Sequence, residues 1–369
     1  MRIAFLCKRK YMGKDVIDDR YARLYEIPFQ LAQLGHDVRG YCLGYQRQSA
    51  ADVDHPAEPG RLHWRGRPIG SPGYPWQVLK DLRAFQPELL IGASDIPHAA
   101  LTAWLARRLR LPYAIDLYDH FESFGQARIP GMKSMLRHAV RAADVVTTTS
   151  EPLQALVESD YRARGQVIAM PSTVDLSIFK PREKAIARQA LGLPADAVLI
   201  GTAGGLYPDK GVDLIYSAWP ALAARYPHLQ LVLAGPYRET AAPPTGPRVH
   251  YLGQLPHMRT AELFAALDLG VVYMRNTLFG RYCFPQKAYE MIASGLPLIS
   301  ADVGAMTHVL RDRPEALYRA DDTADFIRAV EAALASPVPS QVPVDDWATL
   351  IGRLEPALIA AVKHHSTGR

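Results

Sequence analysis

Cysteine is scarce in this sequence, whose 369 residues include only three, Cys7, Cys42 and Cys283. Their odd number and wide separation argue against a disulfide framework, and their spacing does not resemble that of paired metal ligands. Long apolar runs are also lacking, since no stretch approaches the roughly eighteen residues of a membrane-spanning helix. The apolar segment 3–7 is too short for a signal peptide and predicts a first β-strand. The sequence therefore predicts a cytoplasmic protein.

Dense runs of lysine and arginine, which are typical of dedicated nucleic-acid-binding proteins, are missing as well. The net charge of +5 suits a polyanionic small molecule or an anionic membrane surface. With 49% hydrophobic and 21% charged residues, the chain can bury a substantial core, and nothing marks a long disordered region. Its length suggests two or three domains.

Short apolar segments alternate with amphipathic segments in the first half of the chain. The predicted strands are 3–7, 38–43, 89–93, 113–117 and 144–149, and the predicted helices include 18–34 and 97–109. The polar stretch 49–73 is predicted to be a loop with at most a short hairpin. Strand–helix alternation of this kind predicts a parallel, doubly wound sheet.

A second alternating series follows a connection punctuated by prolines. Its predicted strands are 198–203, 229–234, 249–252, 269–273 and 296–301, and its predicted helices are 212–224, 260–267, 285–294 and 324–335. The repetition predicts two α/β domains with a cleft between them. Ligands of open α/β sheets bind beyond the carboxyl ends of the strands, so the residues that directly follow strands are the first candidates for a site.

The segment 284–297 has the features of a capped helix. Pro285 suits the first helical turn and Gly295 the position just past the last. A helix N-terminus directed into a cleft offers free N–H groups and a positive dipole to a phosphate. Lys287 and Glu290 are three residues apart and share a face, so one could hold an anion and the other accept hydrogen bonds from ribose. The simpler alternative is an ordinary ion pair on a surface helix.

The segment 204–211 follows a predicted strand and precedes a helix. Gly204 and Gly205 let the backbone approach a ligand closely, and Lys210 could neutralise a diphosphate. The segment is not a Walker sequence. Taken alone, it is more simply interpreted as a strand-to-helix turn with a solvated lysine.

Together and in this order, the two segments resemble those of retaining nucleotide-sugar glycosyltransferases of the GT-B architecture. That family includes bacterial mannosyl-, glucosyl- and N-acetylglucosaminyltransferases, and the resemblance covers nearly the whole chain. Residues 204–211 look like the family's G-R-L-x-x-x-K-G turn, and residues 285–297 look like its P-x-K-x-x-E-x-x-A-x-G-x-P segment. The resemblance implies an α/β fold of two Rossmann-like domains facing each other across a cleft. The implied domains are 1–178 on the acceptor side, 179–345 on the nucleotide-sugar side, and a helix in 346–369 that crosses back.

The resemblance also implies roles for individual residues. Lys210 would contact the donor diphosphate, Glu290 the donor ribose and Leu255 the nucleobase, while His120 would contact the transferred sugar. Substrate-binding candidates around them are Gly13, Asp119, Gly204, Gly205, Leu255, Arg281, Tyr282, Phe284, Pro285, Gln286 and Lys287. No metal or other cofactor is expected, because the nucleotide sugar is a co-substrate.

Two positions depart from the family pattern. The family usually has arginine where this chain has Gly205, so half of the expected diphosphate clamp is missing. It often has a second glutamate eight residues before Glu290, where this chain has Tyr282. Arg281 and Arg275 are the candidates to replace the lost cation.

In the first half, Asp119 and His120 directly follow the predicted strand 113–117, and His120 matches a family histidine near this point. The alternative is a loop histidine bonded to Asp119. The loop 11–15, with Gly13, looks like a degenerate version of the family's glycine-rich acceptor loop. Asp52 and Asp54 form a D-x-D pair that lies in a polar stretch, and we interpret it as a coincidence.

The implied reaction transfers a hexose, with retention, from a UDP- or GDP-linked donor to an acceptor hydroxyl in bacterial cell-surface glycan or glycolipid synthesis. The acceptor would be a glycan or a lipid-linked molecule, and nucleic acid is not an expected partner. Basic clusters at 107–110 and 133–141 suit peripheral contact with the inner face of the cytoplasmic membrane, and suit solvated helix faces equally well. A nucleotide-sugar epimerase and a catalytically degenerate nucleotide-sugar-binding protein remain alternatives.

Overall fold

A computed structural model describes residues 1–46, 48–71 and 73–367, and they form two compact units. The first unit comprises Met1–Ser172 and the C-terminal segment that begins at Trp347, and the second comprises Thr173–Asp346. Each unit contains a parallel sheet flanked by helices. The predicted fold class, α/β with two Rossmann-like domains, is confirmed at the level of each unit.

Buried apolar strands and amphipathic helices alternate through the first unit, as the sequence predicts. Its strands are β1 (Arg2–Lys8), β2 (Lys10–Tyr11), β3 (Lys14–Asp15), β4 (Asp37–Gly44), β5 (Ala51–His55), β6 (Arg61–Pro68), β7 (Leu89–Ala93), β8 (Tyr113–Leu117), β9 (Val145–Thr148) and β10 (Gln166–Ala169). Its helices before the second unit are α1 (Arg23–Gln33), α2 (Tyr74–Phe85), α3 (Ile96–Leu109), α4 (Met132–Ala142) and α5 (Glu151–Ser159).

The described part of the first unit forms an eight-stranded sheet in the order β10-β9-β8-β7-β1-β4-β6-β5. All neighbouring strands are parallel except β5 and β6, which pair antiparallel. The prediction of a loop with at most a short hairpin over 49–73 was therefore wrong for β6, which pairs with β4 along its whole length. Polar residues alternate with buried ones in β6, because only one side of this outer strand is packed against the core.

Helix α1 begins five residues later than the predicted range 18–34. The backbone φ angles are +48° at Arg20 and +55° at Ala22, and neither residue can be helical with these angles. Helix α1 then packs on the sheet, with Leu24, Ile27 and Leu31 fully buried in the core.

The second unit repeats the alternation with a smaller sheet. Its strands are β11 (Val198–Ala203), β12 (Leu229–Ala234), β13 (Val249–Tyr251), β14 (Leu269–Val272), β15 (Leu298–Ala301) and β16 (Leu317–Tyr318). Its helices are α6 (Lys184–Leu191), α7 (Asp213–Arg225), α8 (His257–Ala266), α9 (Leu278–Tyr282), α10 (Gln286–Ala293), α11 (Ala305–Val309) and α12 (Thr323–Ala335). The sheet order is β13-β12-β11-β14-β15-β16, and every pair is parallel. The strand order reverses at β11, so a ligand crevice is expected beyond its carboxyl end.

The last helix, α13 (Trp347–Thr367), belongs to the first unit. Its apolar face, with Ile351 and Leu358, is buried in the same core as β1 and α1. His36 Nε2 lies 2.8 Å from a carboxylate oxygen of Glu355, which ties the end of α1 to this helix. The chain thus leaves the first unit at residue 172 and returns to it at residue 347.

Candidate functional site

The turn after β11 is built from glycines that allow unusually close backbone packing. Gly204 has φ +108°, and its N–H donates a hydrogen bond of 3.0 Å to the carbonyl of Ala234 at the end of β12. Gly235, the next residue after β12, has φ +127°, and a Cβ there would lie 1.9 Å from the Gly204 carbonyl oxygen. Any larger residue at Gly235 would push this turn out of place.

The side chain of Lys287 reaches this turn from α10. Its Cε and Nζ atoms lie 3.5 Å from the point that a Cβ on Gly204 would occupy. The Nζ atom also lies 4.0 Å from the centre of the Tyr273 ring, a cation–π contact. The Tyr273 hydroxyl donates a hydrogen bond of 2.7 Å to the carbonyl of Gly205. Tyr273 therefore holds both the lysine and the turn.

Lys210 lies near the end of the same loop after β11. It ends a short 3-10 helix, Pro208–Lys210, after which Gly211 reverses the chain with φ +96°. Its Nζ atom lies 5.7 Å from the centre of the Tyr207 ring. Lys210 and Lys287 are close enough for the charge of Lys210 to lower the pKa of Lys287. The fold thus brings together two lysines that are 77 positions apart in the sequence.

Lys287 and Glu290 occupy one half-buried face of α10, as their spacing predicts. Burial and the positive charge of Lys210 lower the pKa of Lys287 to about 7, although Glu290 opposes the shift. Burial raises the pKa of Glu290 to about 7, against the opposing effects of Lys287 and a hydrogen bond from Gln286. Two groups that titrate near neutrality in this position are unlike an ordinary solvated ion pair.

Helix α10 begins one residue later than predicted, since Pro285 is its N-cap residue and not part of its first turn, and Gly295 lies just beyond its end with φ +72°. The ring of Phe284 packs edge-on against Tyr289, with centroids 4.6 Å apart. The Gln286 amide donates a hydrogen bond of 3.4 Å to Glu290. These contacts fix the first turn of the helix beside the glycine turn that Lys287 touches.

Neither arginine proposed from the sequence faces the glycine turn as a free cation. Arg275 donates from its guanidinium to Asp213 at 2.7 Å, to Asp321 at 2.5 Å and to the Pro208 carbonyl at 2.7 Å. Arg275 therefore connects the segments that carry these residues, and the two carboxylates already neutralise its positive charge. Arg281 is exposed on α9 and donates a hydrogen bond of 2.7 Å to Asn276. Tyr282 ends the same helix and is half-buried.

Leu255 follows β13 in the loop that leads to α8. It is partly buried and packs against the core of the second unit, together with Leu252. The position after a strand agrees with the role that the resemblance implies, and the packing alone would explain an apolar residue here.

In the first unit, His120 lies three residues after the end of β8 and is buried. Its Nδ1 atom lies 2.6 Å from the Ser123 hydroxyl, and its backbone N–H donates to the Asp119 carboxylate at 2.9 Å. Burial, together with the positive charges of Lys133 and Arg137, lowers its pKa, which Glu122 opposes. The histidine is therefore mainly neutral at physiological pH, and a neutral imidazole can accept a hydrogen bond from a sugar hydroxyl.

Gly13 lies in a two-residue hairpin turn between β2 and β3. Met12 has φ +51° and Gly13 has φ +82°, the signature of a turn that needs positive φ at both central residues. A Cβ on Gly13 would meet nothing within 4 Å. The glycine is thus required by the turn, which is sufficient to explain its presence.

Other charged residues singled out from the sequence form ion pairs within the first unit. His63 on β6 lies 2.7 Å from Asp52 and 2.8 Å from Asp54, so the D-x-D pair belongs to the outer hairpin. Among the described residues, no group of three or more histidine, cysteine or acidic side chains is placed to hold a metal ion. In the basic cluster 133–141, Arg137 pairs with Glu122 at 2.6 Å.

Within residues 1–46, 48–71 and 73–367, no helix combines the length and apolar character that a membrane crossing requires.

Family comparisons match both units. Residues 23–173 match the model of the "Glycosyl transferase 4-like domain", and residues 197–336 match the model of "Glycosyl transferases group 1". A D-inositol 3-phosphate glycosyltransferase of Stackebrandtia nassauensis is 32% identical over 254 residues, which is 64% of this chain and 54% of the relative. One from Nocardia farcinica is 29% identical over 55% of this chain and 47% of its own length. The matches span about half the length of these curated relatives.

Solved structures resemble the whole chain. Sucrose-phosphate synthase from Thermosynechococcus elongatus matches with a TM-score of 0.68 and 18% identity, over 99% of this chain and 98% of its own. HepE of Anabaena in complex with UDP-glucose matches with a TM-score of 0.65 and 16% identity, over 100% of this chain and 99% of its own. At these identities the likeness shows the fold. The architecture implied by the sequence resemblance, GT-B, is thereby confirmed.

Proposed function

We propose, because the chain belongs to the group 1 glycosyltransferases of the GT-B architecture, that it transfers a hexose from a nucleotide-diphosphate donor to an acceptor hydroxyl. The donor is UDP- or GDP-linked, the anomeric configuration is retained, and the process is bacterial cell-surface glycan or glycolipid synthesis. The observation that supports the donor site is that Lys210 and Lys287 both lie at the loop after β11, close enough for the charge of Lys210 to lower the pKa of Lys287.

This arrangement fits an anionic ligand on electrostatic grounds. Two ammonium groups near one turn repel each other, which is one cause of the lowered pKa of Lys287. A diphosphate between them would replace that repulsion with attraction to both. The first turn of α10 adds N–H groups and the positive end of a helix dipole beside Lys287. The site therefore offers positive charge where a diphosphate leaving group would gain negative charge.

In the proposed reaction, the acceptor hydroxyl attacks the anomeric carbon from the face that the nucleotide leaves. The glycosidic bond to the diphosphate breaks as the new bond forms, and a departing phosphate oxygen takes the hydroxyl proton. Lys210 and Lys287 stabilise the charge on the departing diphosphate. Glu290 accepts hydrogen bonds from the ribose, and His120 orients the transferred sugar through a hydroxyl. No metal ion is part of this proposal, because the lysines supply the positive charge.

Several similar proteins support a nucleotide-sugar donor. HepE of Anabaena is described in complexes with UDP and with UDP-glucose, and an E. coli protein of the same fold is bound with UDP-2-fluoro glucose. The curated relatives are named for transfer to D-inositol 3-phosphate, and for this chain we propose a glycan or lipid-linked acceptor. Peripheral contact with the inner face of the cytoplasmic membrane is part of the same proposal.

An epimerase would require available carboxylates near the anomeric carbon. Glu122 forms a two-point contact with Arg137, at 2.6 and 3.0 Å. Asp95 accepts hydrogen bonds from the backbone and ring of His98, at 3.0 and 2.7 Å. The third candidate carboxylate, Asp119, accepts a hydrogen bond of 2.9 Å from the backbone N–H of His120. All three carboxylates that an epimerase could use therefore have partners in the first unit, which favours transfer over epimerisation.

A donor screen with purified full-length chain tests the proposal. Transfer or hydrolysis of a nucleotide sugar is the expected result, whereas interconversion of the sugar would indicate an epimerase and binding without turnover a degenerate protein. Lys210→Ala and Glu290→Ala should each reduce turnover, and if both left it intact the site assignment would be wrong. His120→Ala should lower kcat about tenfold or more and leave donor binding nearly unchanged, since one lost hydrogen bond in the transition state costs about that factor.

A further inference from the structure

A third cation, Arg238, lies beside Tyr207 in the loop that follows β12. The pairing of β11 with β12 continues past the ends of both strands, where the Leu206 N–H donates a hydrogen bond of 2.8 Å to the Pro236 carbonyl. This pairing places Arg238 beside the turn. Its guanidinium carbon lies 5.1 Å from the centre of the Tyr207 ring, the ring that Lys210 faces at 5.7 Å. Two cations from different loops thus flank one tyrosine.

The same tyrosine prevents position 205 from supplying a cation. A Cβ on Gly205 would lie 2.5 Å from Cε2 and 2.8 Å from Cδ2 of Tyr207. No real Cβ is found so close to another carbon, so any side chain at position 205 requires the ring to move. The space that a longer residue would use is therefore taken by Tyr207, and the positive charge has to come from elsewhere.

Arg238 is held weakly by its present partner. Its NH1 atom lies 3.6 Å from a carboxylate oxygen of Asp209, and the two side chains are 60% and 62% exposed. Exposed ion pairs of this kind contribute little free energy, so a phosphate could replace Asp209 at small cost. Arg275 differs in this respect, because two carboxylates and a carbonyl already occupy its guanidinium.

We propose that Arg238 binds the diphosphate of the donor and supplies the cation that Gly205 cannot carry. This inference rests on the proposed function, since it concerns the same donor site. The planar guanidinium can donate two parallel hydrogen bonds to a phosphate, which neither lysine can do. Lys210 and Lys287 then act as point charges, and Arg238 fixes the orientation of the diphosphate above Tyr207.

Calorimetric titration of the full-length chain with UDP, UMP and uridine, and with the guanosine series, separates a phosphate contact from a general loop effect. Arg238→Ala should weaken binding of the diphosphate about tenfold or more and leave binding of the free nucleoside unchanged, since each charge-assisted hydrogen bond contributes at least about that factor. Arg238→Lys should recover part of the affinity. Arg225→Ala is the matched control, because Arg225 is an exposed arginine of the same unit that ends α7 and pairs with Glu331 on α12.

The possible outcomes are distinguishable. If Lys210→Ala weakens UDP binding and Arg238→Ala does not, the inference is wrong and the donor site stands. An equal loss of UDP and uridine affinity in Arg238→Ala would also overturn it, because a phosphate contact cannot act on a nucleoside. If wild-type chain binds none of the nucleotides, the proposed function itself fails.

Discussion

The ammonium group of Lys287 rests on the face of Tyr273, with Nζ 4.0 Å from the ring centre, while the hydroxyl of the same ring holds the carbonyl of Gly205. One tyrosine directly after β14 therefore connects a helix, a strand and the glycine turn. The consequence is that the position of the cation and the shape of the turn depend on each other.

Tyr273→Phe should separate these two effects. The ring stays under Lys287, but the Gly205 carbonyl loses its donor, so we expect a loss of about 0.5–1.5 kcal/mol in the free energy of unfolding. Donor binding should weaken about threefold, because the turn is no longer held against the lysine. Denaturant unfolding and calorimetric titration with UDP would measure both quantities.

Tyr318→Phe is the matched control for this substitution. Tyr318 is also buried and donates from its hydroxyl to a backbone carbonyl, that of Val272, at 3.0 Å. It should lose similar stability and keep its donor affinity. Equal weakening of donor binding in both variants would mean that Tyr273 acts through general stability only.

The lowered pKa of Lys287 predicts that donor binding depends on pH. In the free protein, Lys287 loses its proton as the pH rises through about 7. A bound diphosphate favours the charged ammonium and raises this pKa, so binding above pH 7 takes up a proton and weakens as the pH rises. Ionisation of Glu290 over the same range makes its carboxylate a better acceptor for the ribose hydroxyls and partly offsets the loss of the lysine charge.

Calorimetric titrations with UDP in two buffers of different ionisation enthalpy, at pH 8, would measure the proton uptake directly. Lys287→Met should bind UDP more weakly and show less proton uptake. Unchanged uptake in that variant would assign the pH dependence to another group.

The sequence predicts the central strands well because their signal is local. Segments 89–93, 113–117, 198–203 and 229–234 are short apolar runs that match the observed strands end to end. The sequence allowed only a short hairpin over 49–73, and the full length of β6 was missed because polar residues alternate with buried ones along it and mask the apolar signal. The start of α1 was missed because Arg20 and Ala22 have positive φ angles, which arginine and alanine rarely adopt and which their residue types do not predict.

Some residues of the candidate site could also be predicted from the sequence, and others could not. Gly204, Lys210 and the segment 285–290 could be found because they follow strands or share a helix face, although their roles remain predictions. Tyr273 and Arg238 were missed, since their contacts join residues 68 and 31 positions apart. The one local signal for them is that each lies within a few residues after a strand.

A buried ion pair supports the strand that carries His120. Arg23 on α1 donates to Asp116 on β8 at 2.6 and 2.9 Å, and to the Met170 carbonyl at 2.6 Å. Both charged side chains are at most 2% exposed. Asp116→Ala should therefore lower the free energy of unfolding by about 3–5 kcal/mol, because the arginine keeps its charge without a partner.

Urea unfolding would measure this loss, with Arg225→Ala as a surface-pair control that should change stability by no more than about 0.5 kcal/mol. The double variant Arg23→Met/Asp116→Leu should be much milder than Asp116→Ala, since it removes both charges. A double variant as unstable as the single one would show that packing rather than charge sets the cost.

Placing an arginine at position 205 tests whether the Tyr207 ring is what excludes a larger side chain there. Its φ lies outside the left-handed region, so the backbone itself accepts other residues, and the obstacle is the Tyr207 ring. Gly205→Arg alone should therefore lower stability and leave UDP binding no tighter. Combined with Tyr207→Ala in the Arg238→Ala background, the same arginine should recover most of the roughly tenfold affinity lost with Arg238, as one charge-assisted bond would. The reference is Tyr207→Ala/Arg238→Ala, which has the open space but no added cation. If the added arginine fails to strengthen UDP binding over that reference, the diphosphate does not lie beside Gly205. The loop after β11 and the loop after β12 would then not both supply cations to the same diphosphate.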